Sequence, residues 1–204
     1  MDVVVRESPP RDVAAWHDLL DPVERGRWAA YREPVDRARF LTGVALTRQV
    51  LAEHLGVAAA EAPLDRACAR CGAPHGVPRV VGRPDLRLSV AHAGDLVLVA
   101  LADRAVGVDV EPLGPGALEV EGQVLTDAER RVLAGTTGAA REVALVETWV
   151  RKEAVLKMLG TGLRTPMVEV DLSAHAVVDL HVGPAHRAAL ATAGPPAVDT
   201  GRRP

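Results

Sequence analysis

Aromatic side chains make up only 2% of the 204 residues, so a core must be built mostly from Ala, Val and Leu. Cysteine is nearly absent. Cys68 and Cys71 are the whole complement, too few for a disulfide framework, and nothing points to an oxidising compartment. No uninterrupted apolar run is long enough to span a bilayer. The N-terminal Met1-Asp2-Val3-Val4-Val5-Arg6 is broken by charge before an export signal could form. Excess charge is missing too: the net charge of −3 exerts no general pull on nucleic acid. Nor is there a Gly-x-Ser-x-Gly turn or an activated cysteine to act as nucleophile. What remains is 48% hydrophobic and 25% charged, the balance of a soluble cytoplasmic protein with one large domain or two small ones.

Local signals divide the chain into two loosely similar halves. Val3–Arg6 reads as a strand and Val13–Leu20 as a short helix. Asp21-Pro22 opens another helix, with Asp21 as N-cap. Asp36–Leu55 has Phe40, Val44, Leu51 and Leu55 at helical spacing and stops at Gly56. Leu86–Val90, Leu96–Leu101 and Ala105–Val110 read as an antiparallel meander, with the last strand internal. After a linker from Leu113, Thr126 and Glu129 form a capping box, and Arg141–Leu159 is a long helix closed by Gly160. Val168–Leu172, Val177–Val182 and His186–Thr192 read as strands, and the Pro/Gly-rich end from Gly194 reads as disordered. The expected domains are 1–103, 104–193 and a disordered tail, 194–204.

Two segments carry chemistry. In Gly107-Val108-Asp109-Val110-Glu111, strand alternation puts Asp109 and Glu111 on one face and the valines on the other. In Trp149-Val150-Arg151-Lys152-Glu153-Ala154-Val155-Leu156-Lys157, helix spacing lines up Trp149, Glu153 and Lys157, with Lys152 off that stripe by about 100°. Separately, each reads as a solvated face. Together, three carboxylates and a lysine suit a hard divalent cation and a polyphosphate. His92 enters a tight turn, where an anion can meet an imidazole and backbone amides. Arg25, Arg27, Arg32, Arg37, Arg39 and Arg48 form a basic stretch, and arginine suits phosphate. Cys68, Cys71 and His75 offer three soft ligands without an evident fourth, so a plain turn is expected there rather than zinc.

In order and spacing, these segments resemble the two signature motifs of the 4'-phosphopantetheinyl transferases. Arg39-Phe40-Leu41-Thr42-Gly43 through Arg48, Gly76-Val77-Pro78, Leu88-Ser89-Val90-Ala91-His92 and Gly160-Thr161-Gly162-Leu163 extend the resemblance to about Thr192. Length and paired halves resemble the surfactin-type, single-chain members. That implies an α+β fold of two similar α/β subdomains in a pseudo-twofold arrangement. The implied reaction moves the phosphopantetheine arm of coenzyme A to a serine of an apo acyl or peptidyl carrier protein and releases adenosine 3',5'-bisphosphate. A polyketide, peptide-synthetase or fatty-acid carrier fits equally. Asp109, Glu111 and Glu153 would hold Mg2+, with Mn2+ as a substitute. Glu153 and Lys157 would be catalytic, and Arg27, Arg39, Ala91, His92 and Lys157 would bind coenzyme A. A cytoplasmic monomer, with no membrane or nucleic-acid partner, is expected.

The chain departs from the family pattern at Val77, where a lysine is usual, at Glu24, where a base is frequent, and at Ala91 and Ala93, where serines flank the histidine. Two rivals remain at this stage: a catalytically impaired coenzyme A or carrier-binding module, and a Mg-dependent nuclease. A nuclease would usually place the late Glu and Lys two apart on a strand rather than four apart on a helix. A carrier-docking patch is guessed around Leu118, Val120 and Leu125.

Overall fold

Alternating burial along Val3–Ser8 (β1) opens the fold of this computed structural model, which describes residues 1–68, 70–74, 76–114, 119–195 and the backbone of 198–199. The chain divides into two units, with the break between Arg104 and Ala105. In the first, β1 leads through a 3-10 turn at Ala14–Leu19 into α1 (Pro22–Ala30) and α2 (Pro34–Leu55). Asp21 and Glu24 form a reciprocal capping box on α1, and α2 ends at Gly56 in the left-handed conformation (φ 69°). The short strands β2 (Leu64–Asp65) and β3 (Arg79–Val80) and the longer β4 (Arg87–Ala93) and β5 (Leu96–Ala102) complete an antiparallel run ordered β2-β3-β4-β5-β1. Val50 and Leu51 of α2 pack with Leu88, Val99 and Leu101 of this sheet.

The second unit repeats the plan. β6 (Val106–Pro112) precedes α3 (Glu121–Val124), α4 (Asp127–Val132) and α5 (Gly138–Leu159), and β7 (Ala176–Leu180) and β8 (His186–Thr192) follow. The sheet order β6-β8-β7 matches β1-β5-β4: the last strand of each unit lies between the first and the penultimate. The fold is therefore α+β, with two sheets that are antiparallel except at one short pairing. That pairing is β9 (Val198–Asp199), which runs parallel to Val3–Val4 along the open edge of β1. An unpaired edge offers backbone groups to any nearby segment, and this holds two residues of the tail read as disordered.

Two readings of the sequence are corrected. β6 does not continue the β4–β5 meander. It begins the second sheet and lies at its edge, paired among the described residues with β8. Strand pairing is non-local, and three successive alternating runs cannot say which sheet each joins. Val168–Leu172 is not a strand but the 3-10 turns Met167–Glu169 and Leu172–Ala174. Met167 and Val170, three apart, are both buried, which is the 3-10 period. The alanine-rich β8 is central because Ala189 and Ala191 are small enough to lie under α5, in a core with Leu145, Val150, Ala154 and Val155.

Candidate active site

Gly107 brings strand and helix together. A Cβ on it would lie 1.9 Å from the Ala154 carbonyl oxygen and 2.5 Å from the Met158 nitrogen, both backbone atoms of α5. Glycine inside a strand often marks such an approach. Asp109 and Glu111 follow on the same face of β6, and Glu153 and Lys157 lie one turn apart on α5.

The contacts are direct. Lys157 Nζ donates to Asp109 Oδ1 at 2.7 Å and to the Val108 carbonyl at 3.2 Å. Asp109 is 5% exposed, and its Oδ2 is buried without a hydrogen-bond partner. Burial raises the Asp109 pKa although Lys157 pulls it down. Burial and then the Asp109 charge raise Glu111 to about 7, with Lys157 opposing and Glu153 adding. Glu153 is raised by burial and by Asp109, against Lys157. Three carboxylates thus share one ammonium, an arrangement that calls for more positive charge.

Among the described residues, no three His, Cys, Asp or Glu side chains are gathered to hold a metal as they stand. The donor chemistry nevertheless fits a hard cation: all-oxygen ligands, held charge-poor, with one orphaned carboxylate oxygen on Asp109. His75, one of three candidate soft ligands with Cys68 and Cys71, lies outside the described residues, as does Leu118 of the guessed docking patch.

Lys152, off the acidic stripe as its spacing implies, is fully buried. Its Nζ donates to Glu129 Oε2 at 2.7 Å, the Val124 carbonyl at 2.8 Å and the Met167 carbonyl at 3.0 Å. All three of its protons are used. Trp149 packs against the core of this unit.

The remaining candidates belong to the first unit. Arg39 Nε donates to the Gly94 carbonyl at 2.8 Å, and its Nη1 pairs with Asp36 at 2.7 Å. Gly94 lies in the turn that His92 and Ala93 enter from β4, so Arg39 is tied to that turn. His92 is exposed, while Ala91 is buried opposite Leu98 in the β4–β5 ladder. Arg27 Nη1 donates to the Pro74 carbonyl at 2.9 Å, and its guanidinium lies 5.2 Å above the Phe40 ring. Arg48 is structural: it pairs with Glu24 at 2.9 Å, with both side chains 7% exposed. Arg37 stacks on Trp28 at 5.3 Å, and Arg25 and Arg32 are exposed. Sequence spacing missed two features, the tight seam at Gly107 and the anchoring of Lys152. The first had a signal, a glycine inside a valine-rich strand.

Comparison with known proteins agrees with this geometry. A sequence profile of the 4'-phosphopantetheinyl transferase superfamily matches residues 105–197, the unit that carries the acidic cluster. A phosphopantetheinyl transferase of Thraustochytrium sp. is 33% identical over 189 residues, covering 76% of this chain and 63% of the relative. The 4'-phosphopantetheinyl transferase Sfp of Bacillus subtilis is 24% identical over 158 residues, covering 77% and 67%. A putative 4'-phosphopantetheinyl transferase of Synechocystis sp. is 28% identical over 156 residues, covering 74% and 61%. The chain thus spans about three fifths to two thirds of the length of these relatives. Two acidic motifs joined by a glycine seam, and relatives that match across both units, make the chain similar to the 4'-phosphopantetheinyl transferase superfamily.

Proposed function

We propose that this chain transfers the 4'-phosphopantetheine arm of coenzyme A to a serine of an apo acyl or peptidyl carrier protein. The observation that carries the reading is the β6–α5 cluster: three coupled carboxylates, one ammonium and an orphaned Asp109 oxygen. Asp109, Glu111 and Glu153 would hold Mg2+, or Mn2+ in its place. A bound divalent ion would neutralise charge on the diphosphate oxygens.

The carrier serine oxygen attacks the phosphorus that bears the pantetheine arm. A new P–O bond forms, the bond to the bridging diphosphate oxygen breaks, and adenosine 3',5'-bisphosphate leaves. Glu153, whose raised pKa makes it a better base than an exposed carboxylate, takes the serine proton directly or through water. Lys157 swings from Asp109 toward the leaving oxygen and stabilises its charge. The nucleophile belongs to the partner, which accounts for the lack of a nucleophile motif in this chain. In the first unit, Arg27, Arg39, His92 and the backbone at Ala91 would hold the coenzyme.

Among the described residues no helix is long and apolar enough to cross a membrane. A monomer acting in the cytoplasm, without nucleic acid, fits the two substrates. The test is intact-mass analysis of a panel of apo-carriers incubated with the protein, coenzyme A and Mg2+. One added phosphopantetheine arm on some carriers is expected. Coenzyme A binding without any mass gain would reduce the chain to a binding module.

A further inference from the structure

Glu111 of β6 and Arg187 of β8 are direct partners in the antiparallel register. Both lie on the face that α5 covers. Gly107 meets the α5 backbone and Asp109 bonds Lys157, so alternation turns Glu111 the same way. Ala189 and Ala191 sit in the core under α5, and Arg187 shares their face. Opposite charges directly across two strands have Cβ atoms about 5 Å apart and attract one another. Here they do not pair. Arg187 Nε donates instead to Glu147 Oε1 of α5 at 3.1 Å, and its Nη1 donates to the His186 and Pro184 carbonyls at 2.8 and 3.4 Å. The Glu111 carboxylate has no hydrogen bond or ion pair among the described residues. Arg151 lies 3.8 Å from Glu147 but is committed to Asp179, at 2.8 and 2.6 Å.

The Arg187 and Glu147 side chains are 29% and 33% exposed, and an ion pair so open to water contributes little to stability. Its consequence is local: it decides where the Arg187 guanidinium lies. We propose that Glu147 is a positioning residue that holds Arg187 off Glu111 and so keeps that carboxylate open to a divalent cation. The inference rests on the cation reading of the β6–α5 cluster above and adds a residue outside that cluster. A guanidinium fork swung onto Glu111 would engage both carboxylate oxygens. The cation would then have to break that pair before it could bind.

The test is titration of the full chain with Mn2+ in the presence of coenzyme A, followed by the electron paramagnetic resonance signal of the free ion. Glu147→Gln releases Arg187 to Glu111 and should weaken Mn2+ by about five- to tenfold, the scale of one partly exposed ion pair that must be broken first. Arg187→Gln alone should bind Mn2+ as the wild type does. Combining it with Glu147→Gln should restore wild-type affinity. Carrier modification should follow: Glu147→Gln raises the KM for Mg2+ and keeps kcat at saturating Mg2+. Wild-type Mn2+ affinity in Glu147→Gln overturns the role of Glu147. A double variant as weak as Glu147→Gln also overturns it, because the effect would then be the mere loss of a nearby negative charge. If the wild type binds no Mn2+, the cation reading itself fails, and the two failures are distinguishable.

Discussion

α2 and α5 are built to one plan and put to different use. Each has 22 residues and ends at a left-handed glycine, Gly56 or Gly160. Eight residues before that glycine each carries a buried cation, Arg48 or Lys152. Each cation pairs with the third-turn-position glutamate of the capping box on the preceding helix, Glu24 of α1 or Glu129 of α4. The same alignment sets Glu153 and Lys157 of α5 against Gln49 and Glu53 of α2. The frame is thus duplicated, while the Glu153 and Lys157 pair stands in one copy alone. This also gives Glu24 its reason: the frame needs a carboxylate there, to cap α1 and to pair with Arg48.

The largest expected effect tests that division. Glu153→Gln gives α5 the residue α2 already has, and removes the proposed cation ligand and proton acceptor together. Carrier modification by mass spectrometry should fall by about a hundredfold or more, with the melting temperature retained. The reciprocal Gln49→Glu should leave the rate unchanged. Wild-type transfer by Glu153→Gln would show that the second unit does not hold the chemistry.

Next come the buried cations. Arg48→Met strands a carboxylate that is only 7% exposed, and Lys152→Met strands one that is 25% exposed. Breaking a buried pair costs about 3–5 kcal/mol, so Arg48→Met should lie near the top of that range and Lys152→Met near the bottom. Urea unfolding of each single variant, and of the doubles with Glu24→Gln and Glu129→Gln, measures the coupling. Coupling in one unit but not in the other would end the equivalence of the two frames.

Much of this was legible where the signal is local. Helix stops at Gly56 and Gly160 and caps at Asp21 and Thr126 depend on a few neighbouring residues, and they stand as read. Alternation put Asp109 and Glu111 on one face, and the four-residue step put Glu153 and Lys157 together. What stayed hidden depends on distant partners. The sheet that β6 joins is decided by pairing with β8, some eighty residues on. Helix geometry alone says that Lys152 is off the stripe, but not that three acceptors wait for it.

A smaller effect separates two glycines that lie between a helix and a sheet, Gly107 of β6 and Gly43 of α2. Gly107→Ala drives a methyl into backbone atoms of α5 and should destabilise by about 3 kcal/mol, with no side chain able to yield. Gly43→Ala inside α2 meets only side-chain methyls, of Val90 at 3.7 Å and Val97 at 3.9 Å, both ordinary contacts. It should be neutral or stabilise by about 0.5–1 kcal/mol, the helix preference for alanine. Equal losses in urea unfolding would mean that the β6–α5 seam is no tighter than the packing of α2 on β4 and β5.

The smallest effect lies in the response to Mg2+ and pH. Glu111 titrates at about 7 in the folded chain, above its ordinary 4.5, so without metal its contribution to stability is full below about 4.5 and is lost as pH rises through 7. Asp109 and Glu153 shift in the same direction. A cation must displace those protons, so Mg2+ should raise the melting temperature by a few degrees at pH 8 and by less at pH 6. Glu111→Gln should flatten that difference, since a neutral amide has no proton to exchange. Gln49 stands in the first unit where the second has Glu153, and Gln49→Glu should leave the profile unchanged. An Mg2+ shift of the same size at both pH values in the wild type would mean that the ion, if it binds, does so away from β6 and α5.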